Sequence, residues 1–359
     1  MRLRVRFYFC ALIMLLAWHP CRADDALTAA EAKWAQTENG AEAAFNKHEK
    51  AQAKSWEEMR RRVLRKWTDG AMPEAKTFIE YSDQDTTRVK VDYENGTVTV
   101  EALIDSKDAE STVHAAKEKI TKALASVIST DAKSTNAILS ADEITATKEP
   151  LQDLVASLSK TPESSGGEKG DDGQERALYR VTFNLVPDYV KRRAEKYKPL
   201  VDVWAKKYNL DPAFILAIMR QESAFNPRAR SWVGALGLMQ IYPPYAGKEV
   251  FKTVMHKDAI PSDDFLYDPS NNVMMGATFL QILRDKYFVD IKDKEKQRYL
   301  ITCGYNWSAG RLRKAIAKGR LLIKAPAPEV FDRLEQITPA ETQGYLKRVT
   351  QFTKEFRGD

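Results

Sequence analysis

The chain has 359 residues, 43% of them apolar, a formal charge of +6 and three cysteines. That length allows one to three domains with real cores, and it excludes a miniprotein built on disulfides. Arg2, Arg4 and Arg6 precede an apolar stretch from Phe7 to Trp18, and Cys21-Arg22-Ala23 places small residues at the minus-three and minus-one positions of a cleavage site. The pattern reads as a secretory signal over 1–23, and the apolar run is shorter than the roughly 20 residues a membrane span needs. A lipid-modified Cys21 fits less well, because Trp18-His19-Pro20 stands where small residues should.

Cleavage after Ala23 leaves 336 residues, a charge of +2 and one cysteine, Cys303. An exported chain with a single thiol is held by its core rather than by internal disulfides, which points to a periplasmic location. The charge is uneven: residues 24–180 carry −8 and residues 181–359 carry +10. A basic half in an exported protein suits an anionic polymer, a membrane surface or its own acidic half. Nucleic acid is excluded as a partner by export and by the lack of any binding signature.

In chain order, Leu27 to Trp67 is rich in Ala, Glu, Lys and Arg and predicts one or two helices. Residues 88–93 and 97–102 alternate around Glu94-Asn95-Gly96, a hairpin signal because Asn and Gly tolerate positive φ. Val113, Ala116, Ile120, Leu124 and Val127 recur at helical spacing, so a helix over about 111–128 should pack one stripe on that hairpin. Residues 161–176, with four glycines and almost no apolar side chain, predict a mobile loop. Tyr179 to Leu185 alternate as a further strand ending at Pro187. The expected architecture is an α+β domain over 24–186 followed by a mainly α domain over 187–359. In the second, Asp211-Pro212 predicts a helix start, Phe214 to Met219 an apolar run, and Asn226-Pro227 a stop.

Glu222 closes that apolar helix. If it meets a groove there, desolvation raises its pKa toward neutrality, as a general acid requires, although an exposed helix-end glutamate fits the same local sequence. Gly234 and Gly237 beside Gln240 could let backbone approach a ligand, or could be a helix-packing contact. Tyr305-Asn306 suits stacking on and hydrogen bonding to sugar. His48, His114 and His256 have no metal-ligand spacing, so neither metal nor cofactor is expected. Cys303, with no nearby histidine, reads as a buried thiol.

Glu222-Ser223, Gly237-Leu238-Met239-Gln240, Tyr305-Asn306 and Glu341-Thr342 with Tyr345 follow one another within about 125 residues. Together they resemble the four signatures of the soluble-lytic-transglycosylase domain, a relative of goose-type lysozyme. The Asn95-Gly96 hairpin, Asp142-Glu143-Ile144-Thr145 and Val181 to Pro187 resemble the N-terminal domain of the membrane-bound lytic murein transglycosylase C family. The resemblance covers most of the mature chain. It implies a lysozyme-like fold for the second domain and cleavage of peptidoglycan strands, with Glu222 as the single acid/base and possible outer-membrane association. It further implies that Ser231 and Tyr305 orient the glutamate, that Ser223, Met239, Gln240, Tyr242 and Asn306 contact substrate, and that Tyr345 closes the groove. Tyr242 stands where some relatives have methionine, and Cys303-Gly304 and Trp307-Ser308 also depart from the usual pattern. A hydrolytic muramidase and a non-catalytic peptidoglycan-binding scaffold remain the alternatives. Endo or exo cleavage and oligomeric state are left open.

Overall fold

A computed structural model describes residues 47–358 apart from 106–108, 146–149, 161 and 318–324, so the expected signal over 1–23 lies outside the described residues. Helix α1 runs over 47–64 and leads to β1 (Thr77–Ser82), β2 (Thr87–Asp92) and β3 (Thr97–Ile104). The β2–β3 hairpin forms as the alternation predicts, with Val89 opposite Val100 and Val91 opposite Val98. Its connection is closed by Asp92, whose carboxylate accepts from the Glu94 and Asn95 N–H groups. Helix α2 (Ala109–Val127) lays Ala116, Ile120, Leu124 and Val127 on this sheet. Val113, expected in the same stripe, is 44% exposed, because in the first turn it is Thr112, 3% exposed and hydrogen-bonded to the Tyr179 hydroxyl of β7, that faces the sheet.

Short strands β4 (Ile128–Ser129) and β5 (Leu139–Ser140) pair in parallel, and α3 (Ala141–Ile144) and α4 (Leu151–Leu158) follow. The segment expected to be a mobile loop is instead strand β6 (Glu163–Lys169) and the start of β7 (Glu175–Asn184). They complete an antiparallel sheet of order β1-β2-β3-β7-β6. Strand β6 is an edge almost wholly exposed, so it needs no apolar side chains; backbone pairing to β7 holds it. Its turn is anchored as well. The N–H groups of Asp171 and Asp172 cap the carbonyls of Leu64 and Arg65 at the end of α1, and Gly170 sits so close to Arg65 that a Cβ there would fall 2.2 Å from its carbonyl oxygen. The far face of the sheet is covered by Val63 and Trp67, against Leu103 and Leu178.

After the sheet the chain is helical: α5 (Tyr189–Tyr208), α6 (Pro212–Ser223), α7 (Lys248–Val254), α8 (Asp263–Tyr267), α9 (Pro269–Ile282), α10 (Lys294–Trp307), α11 (Ala309–Ala317), α12 (Ala327–Ile337) and α13 (Ala340–Arg357). Helix α6 starts as predicted, with Asp211 accepting from Ala213 N–H and Pro212 at the first position. Nine of its residues are buried, because it runs through the core between its neighbours. It stops before Asn226-Pro227, since Ala224 and Phe225 take left-handed φ values of 48° and 63°. That conformation costs an L-residue about 1–2 kcal/mol each, so something must hold it. The Phe225 ring is fully buried, stacks on Tyr197, and its carbonyl accepts from Arg193 Nη1 at 2.9 Å.

Arg193 belongs to a buried ion cluster. Its Nη2 donates to Glu143 Oε2 at 2.7 Å, and Lys196 Nζ donates to Glu143 Oε1 at 2.6 Å and to Ser140 Oγ. The Arg193 guanidinium also lies 4.1 Å from the centre of the Tyr93 ring. Burial pushes the Glu143 carboxyl up, but Arg193 and Lys196 outweigh it and hold it below the usual range. The cluster thus ties α3, beside the sheet, to α5 and to the strained turn behind Glu222.

Candidate active site

Glu222 is the penultimate residue of α6 and is partly buried. Helix α13 packs along α6 and brings Tyr345, whose phenol donates to Glu222 Oε1 at 2.6 Å. The carboxyl opens on a cavity of about 500 Å³ whose walls include Glu74, Ala75, Lys76, Gln221, Asn306, Glu341 and Tyr345. Desolvation dominates its ionisation and pushes the pKa up to about 7, against opposing pulls from the Tyr345 hydrogen bond and Lys76; Glu341 adds a smaller upward push. Burial and the Glu222 charge together push the Tyr345 phenol well above its ordinary value, so it remains a donor.

The residues around the glutamate are fixed by neighbours. Gly237 has φ 73°, and a Cβ there would lie 2.2 Å from Asn272 Nδ2 and 2.6 Å from the Leu266 carbonyl. The glycine therefore serves a close approach to Asn272 and not to a ligand. Asn272, 1% exposed, donates to the carbonyls of Leu236 and Leu266 and accepts from Met239 N–H, which locks the loop over 236–239. Asn306 Oδ1 accepts from Thr342 Oγ1 at 2.7 Å, and Gln221 Oε1 accepts from Arg348.

The sequence-expected residues divide into three groups. Glu222, Asn306 and Tyr345 line the cavity together. Ser223, Met239 and Tyr305 act behind it. The Ser223 hydroxyl is buried and donates to Leu238 O at 2.7 Å, so it cannot meet substrate as expected. The Met239 side chain is equally buried, packed against Gly276. Tyr305 donates to Met239 O at 2.7 Å and not to the glutamate; the phenol bonded to Glu222 is that of Tyr345, which takes the part expected of Tyr305. The third group lies on the loop over 231–242. Ser231 Oγ accepts from Ala235 N–H and closes a turn, Gln240 Nε2 donates to Gly237 O, and Tyr242 meets His48 edge to face at 5.5 Å. Ser231 thus holds the loop, and Glu222 is oriented from α13.

Sequence reasoning missed the contribution of the sheet domain. Glu74, Ala75, Lys76 and Thr77 run along the cavity before and into β1, with Asp92 and Glu94 beside them. Lys76 Nζ is tied to Glu94 Oε1 at 2.6 Å, and the Ala75 carbonyl accepts from Asn226 Nδ2. No local signal marks these residues, because only the tertiary packing brings them to Glu222. Cys303 is buried beside the site, and burial pushes its thiol up to about 12, so it is inert as a nucleophile.

The family profile of the transglycosylase SLT domain matches residues 199–324, and that of the N-terminal domain of membrane-bound lytic murein transglycosylase C matches residues 45–159. Over 302 residues the chain is 33% identical to the membrane-bound lytic murein transglycosylase C of Salmonella arizonae, a match covering 79% of this chain and 82% of that relative. The chain belongs to the membrane-bound lytic murein transglycosylase C family. Among solved structures, the 70 kDa soluble lytic transglycosylase of Escherichia coli is 28% identical over 48% of this chain, with a TM-score of 0.40. The lytic transglycosylase Slt of Pseudomonas aeruginosa, solved as an inactive mutant, is 26% identical over 47%, with a TM-score of 0.38. This chain spans about a quarter of the length of those two proteins. In this member of the transglycosylase C family, no helix among the described residues is long and apolar enough to cross a membrane.

Proposed function

We propose that Glu222 is first the acid and then the base of a lytic cleavage of murein, with no second catalytic carboxylate. The chain is a peptidoglycan lytic transglycosylase by family and by its SLT domain. The bond assigned to it is the β-1,4 link between N-acetylmuramic acid and N-acetylglucosamine. Protonated Glu222 donates to the glycosidic oxygen as the C1–O bond breaks. The substrate's own N-acetyl oxygen steadies the positive charge on C1, which removes the need for a protein nucleophile. The carboxylate then takes the proton of the muramoyl C6 hydroxyl, whose oxygen closes on C1 to give a 1,6-anhydro end.

The observation that carries this reading is a desolvated glutamate with a pKa of about 7, held by a neutral phenol at the edge of an open cavity. A pKa near the working pH suits a group that must both give and take a proton. Tyr345 bonds Oε1 and leaves Oε2 to carry the proton. Asn306 and Lys76 are placed to bind the strand. We assign the site of action to the periplasm; the relative's name is that of a membrane-bound enzyme, and the outer membrane is the one we propose for this chain. Mass spectrometry of murein digested by the protein tests the chemistry. Products with 1,6-anhydromuramoyl ends are expected; products heavier by one water, with reducing ends, would mark a hydrolytic muramidase instead.

A further inference from the structure

A second cavity, of about 650 Å³, lies away from Glu222 between α1, β1, the end of α2 and the turn over 228–230. Its size is that of an ordinary small-ligand site. Its walls combine three aromatic rings, Trp56, Phe78 and Tyr267, with Met59, the Arg228 side chain and the polar groups of Ser134 and Asn136. Trp56 Nε1 is a buried donor without a partner, and so is Arg230 Nε, although the Arg230 head is otherwise engaged by Gln52. Buried polar groups normally find a partner, so the unused indole N–H is a place for an acceptor. Arg228 is exposed, lies 5.4 Å from the centre of the Tyr267 ring and makes no ion pair among the described residues. Glu80, the carboxylate among the lining residues, makes no ion pair among them either, so an anion would be received by Arg228.

Aromatic faces stack on sugar rings, an indole N–H and amides bond sugar oxygens, and a free guanidinium takes a carboxylate. We propose that this cavity is a second glycan site, which binds a short saccharide bearing a carboxylate, of the muramic acid type. The proposal rests on the murein reading of the catalytic cavity and adds a place outside it. The two cavities share a wall: Met72, Pro73 and Phe78 to Glu80 face the second, while Glu74 to Thr77 face the first. Asn226, fully buried, joins them, donating to Ala75 O and accepting from Arg228 N–H at 3.0 Å. A fragment seated by Arg228 therefore presses on the same stretch of chain that presents Lys76 to Glu222. The occupant is either a free fragment or part of a strand also held in the catalytic cavity, and the two share this chemistry.

The test is calorimetric titration of the full chain with N-acetylmuramyl dipeptide, which has no bond for the enzyme to cleave and is too small to bridge both cavities. One fragment per chain should bind, at least tenfold more weakly in Arg228→Ala and in Trp56→Phe, and unchanged in Glu222→Gln. Binding of a neutral chitobiose should be at least tenfold weaker than that of the dipeptide. Binding that survives both Arg228→Ala and Trp56→Phe but is lost in Lys76→Ala would place the fragment in the catalytic cavity and overturn the proposal, as would no binding at all. Equal binding of the neutral sugar would overturn the carboxylate assignment. If long murein strands bind more tightly than the dipeptide and lose that advantage in Arg228→Ala, the site extends the catalytic cavity; if not, it takes free fragments. Murein cleavage measured on the same preparations separates the two claims, because intact cleavage without fragment binding removes this site and leaves Glu222 in place.

Discussion

Glu143 and Glu222 are both withdrawn from bulk water, yet their surroundings drive them in opposite directions. Glu143 sits between Arg193 and Lys196, and the two cations outweigh the desolvation that would otherwise hold a proton on it. Glu222 is held by a phenol, and Lys76, the cation acting on it, is itself tied to Glu94. Desolvation then wins and the pKa rises to about 7. One glutamate is a fixed anion that joins the sheet domain to the helices; the other titrates where chemistry needs it. Partners decide the difference, since both carboxyls are desolvated. The two are also mechanically linked, because Arg193 bonds both Glu143 and the carbonyl of Phe225, three residues beyond Glu222.

Removing each carboxylate in turn is the strongest way to test that contrast. Glu222→Gln should lower murein cleavage by about 10³-fold, the usual scale for a general acid/base, while the protein stays folded. Cleavage within a few-fold of wild type, measured by release of soluble muropeptides, would remove the role assigned here. Glu143→Ala should do the reverse. It strands two buried cations and should cost about 3–5 kcal/mol of stability, read by denaturant unfolding. Activity would then be lost only as far as the protein unfolds or the turn at Phe225 loosens.

The pH dependence of stability sharpens the comparison further. Folded Glu222 keeps its proton to about pH 7, whereas in the unfolded chain it loses it near the ordinary glutamate value of 4.5. Between those values the folded state binds more protons, so stability falls as pH rises through the window and is level above it. A shift of this size corresponds to about 3 kcal/mol. Glu222→Gln should therefore gain about that much relative to wild type between pH 4 and pH 8. Glu143, with a lowered pKa, contributes in the opposite sense, and its stabilisation is lost as pH falls through the acid range. The smallest effect is expected of Tyr345→Phe. Losing a hydrogen bond that favours the carboxylate should raise the falling limb of the kcat/KM profile by about one pH unit. An unmoved limb would show that Tyr345 does not set the protonation of Glu222.

How much of this was legible in the sequence differs between the two glutamates. Glu222 stands out because it ends a run of apolar residues, and its neighbours in the resemblance follow in order along the chain. Which tyrosine bonds it was not legible, because Tyr305 and Tyr345 lie on α10 and α13 and only the packing of α13 on α6 decides between them. Glu143 carried no visible chemistry, since its two cations are 50 and 53 residues away and meet it only in the folded chain. The β2–β3 hairpin and α2 were readable from periodicity. Strand β6 was not, because composition reports burial, and an exposed edge strand is held by backbone hydrogen bonds that any residue can make. Ser223 misled for a related reason: a serine beside a catalytic glutamate looks like a ligand-binding group until its hydroxyl is found bonded to Leu238.

The central claim is that Glu222 is a desolvated acid poised near neutrality. Carbon-13 NMR titration of the glutamate side-chain carboxyls, with the Glu222 resonance assigned by its absence in Glu222→Gln, measures that directly. A midpoint near pH 7 is predicted, and a midpoint between 4 and 5 would contradict the account.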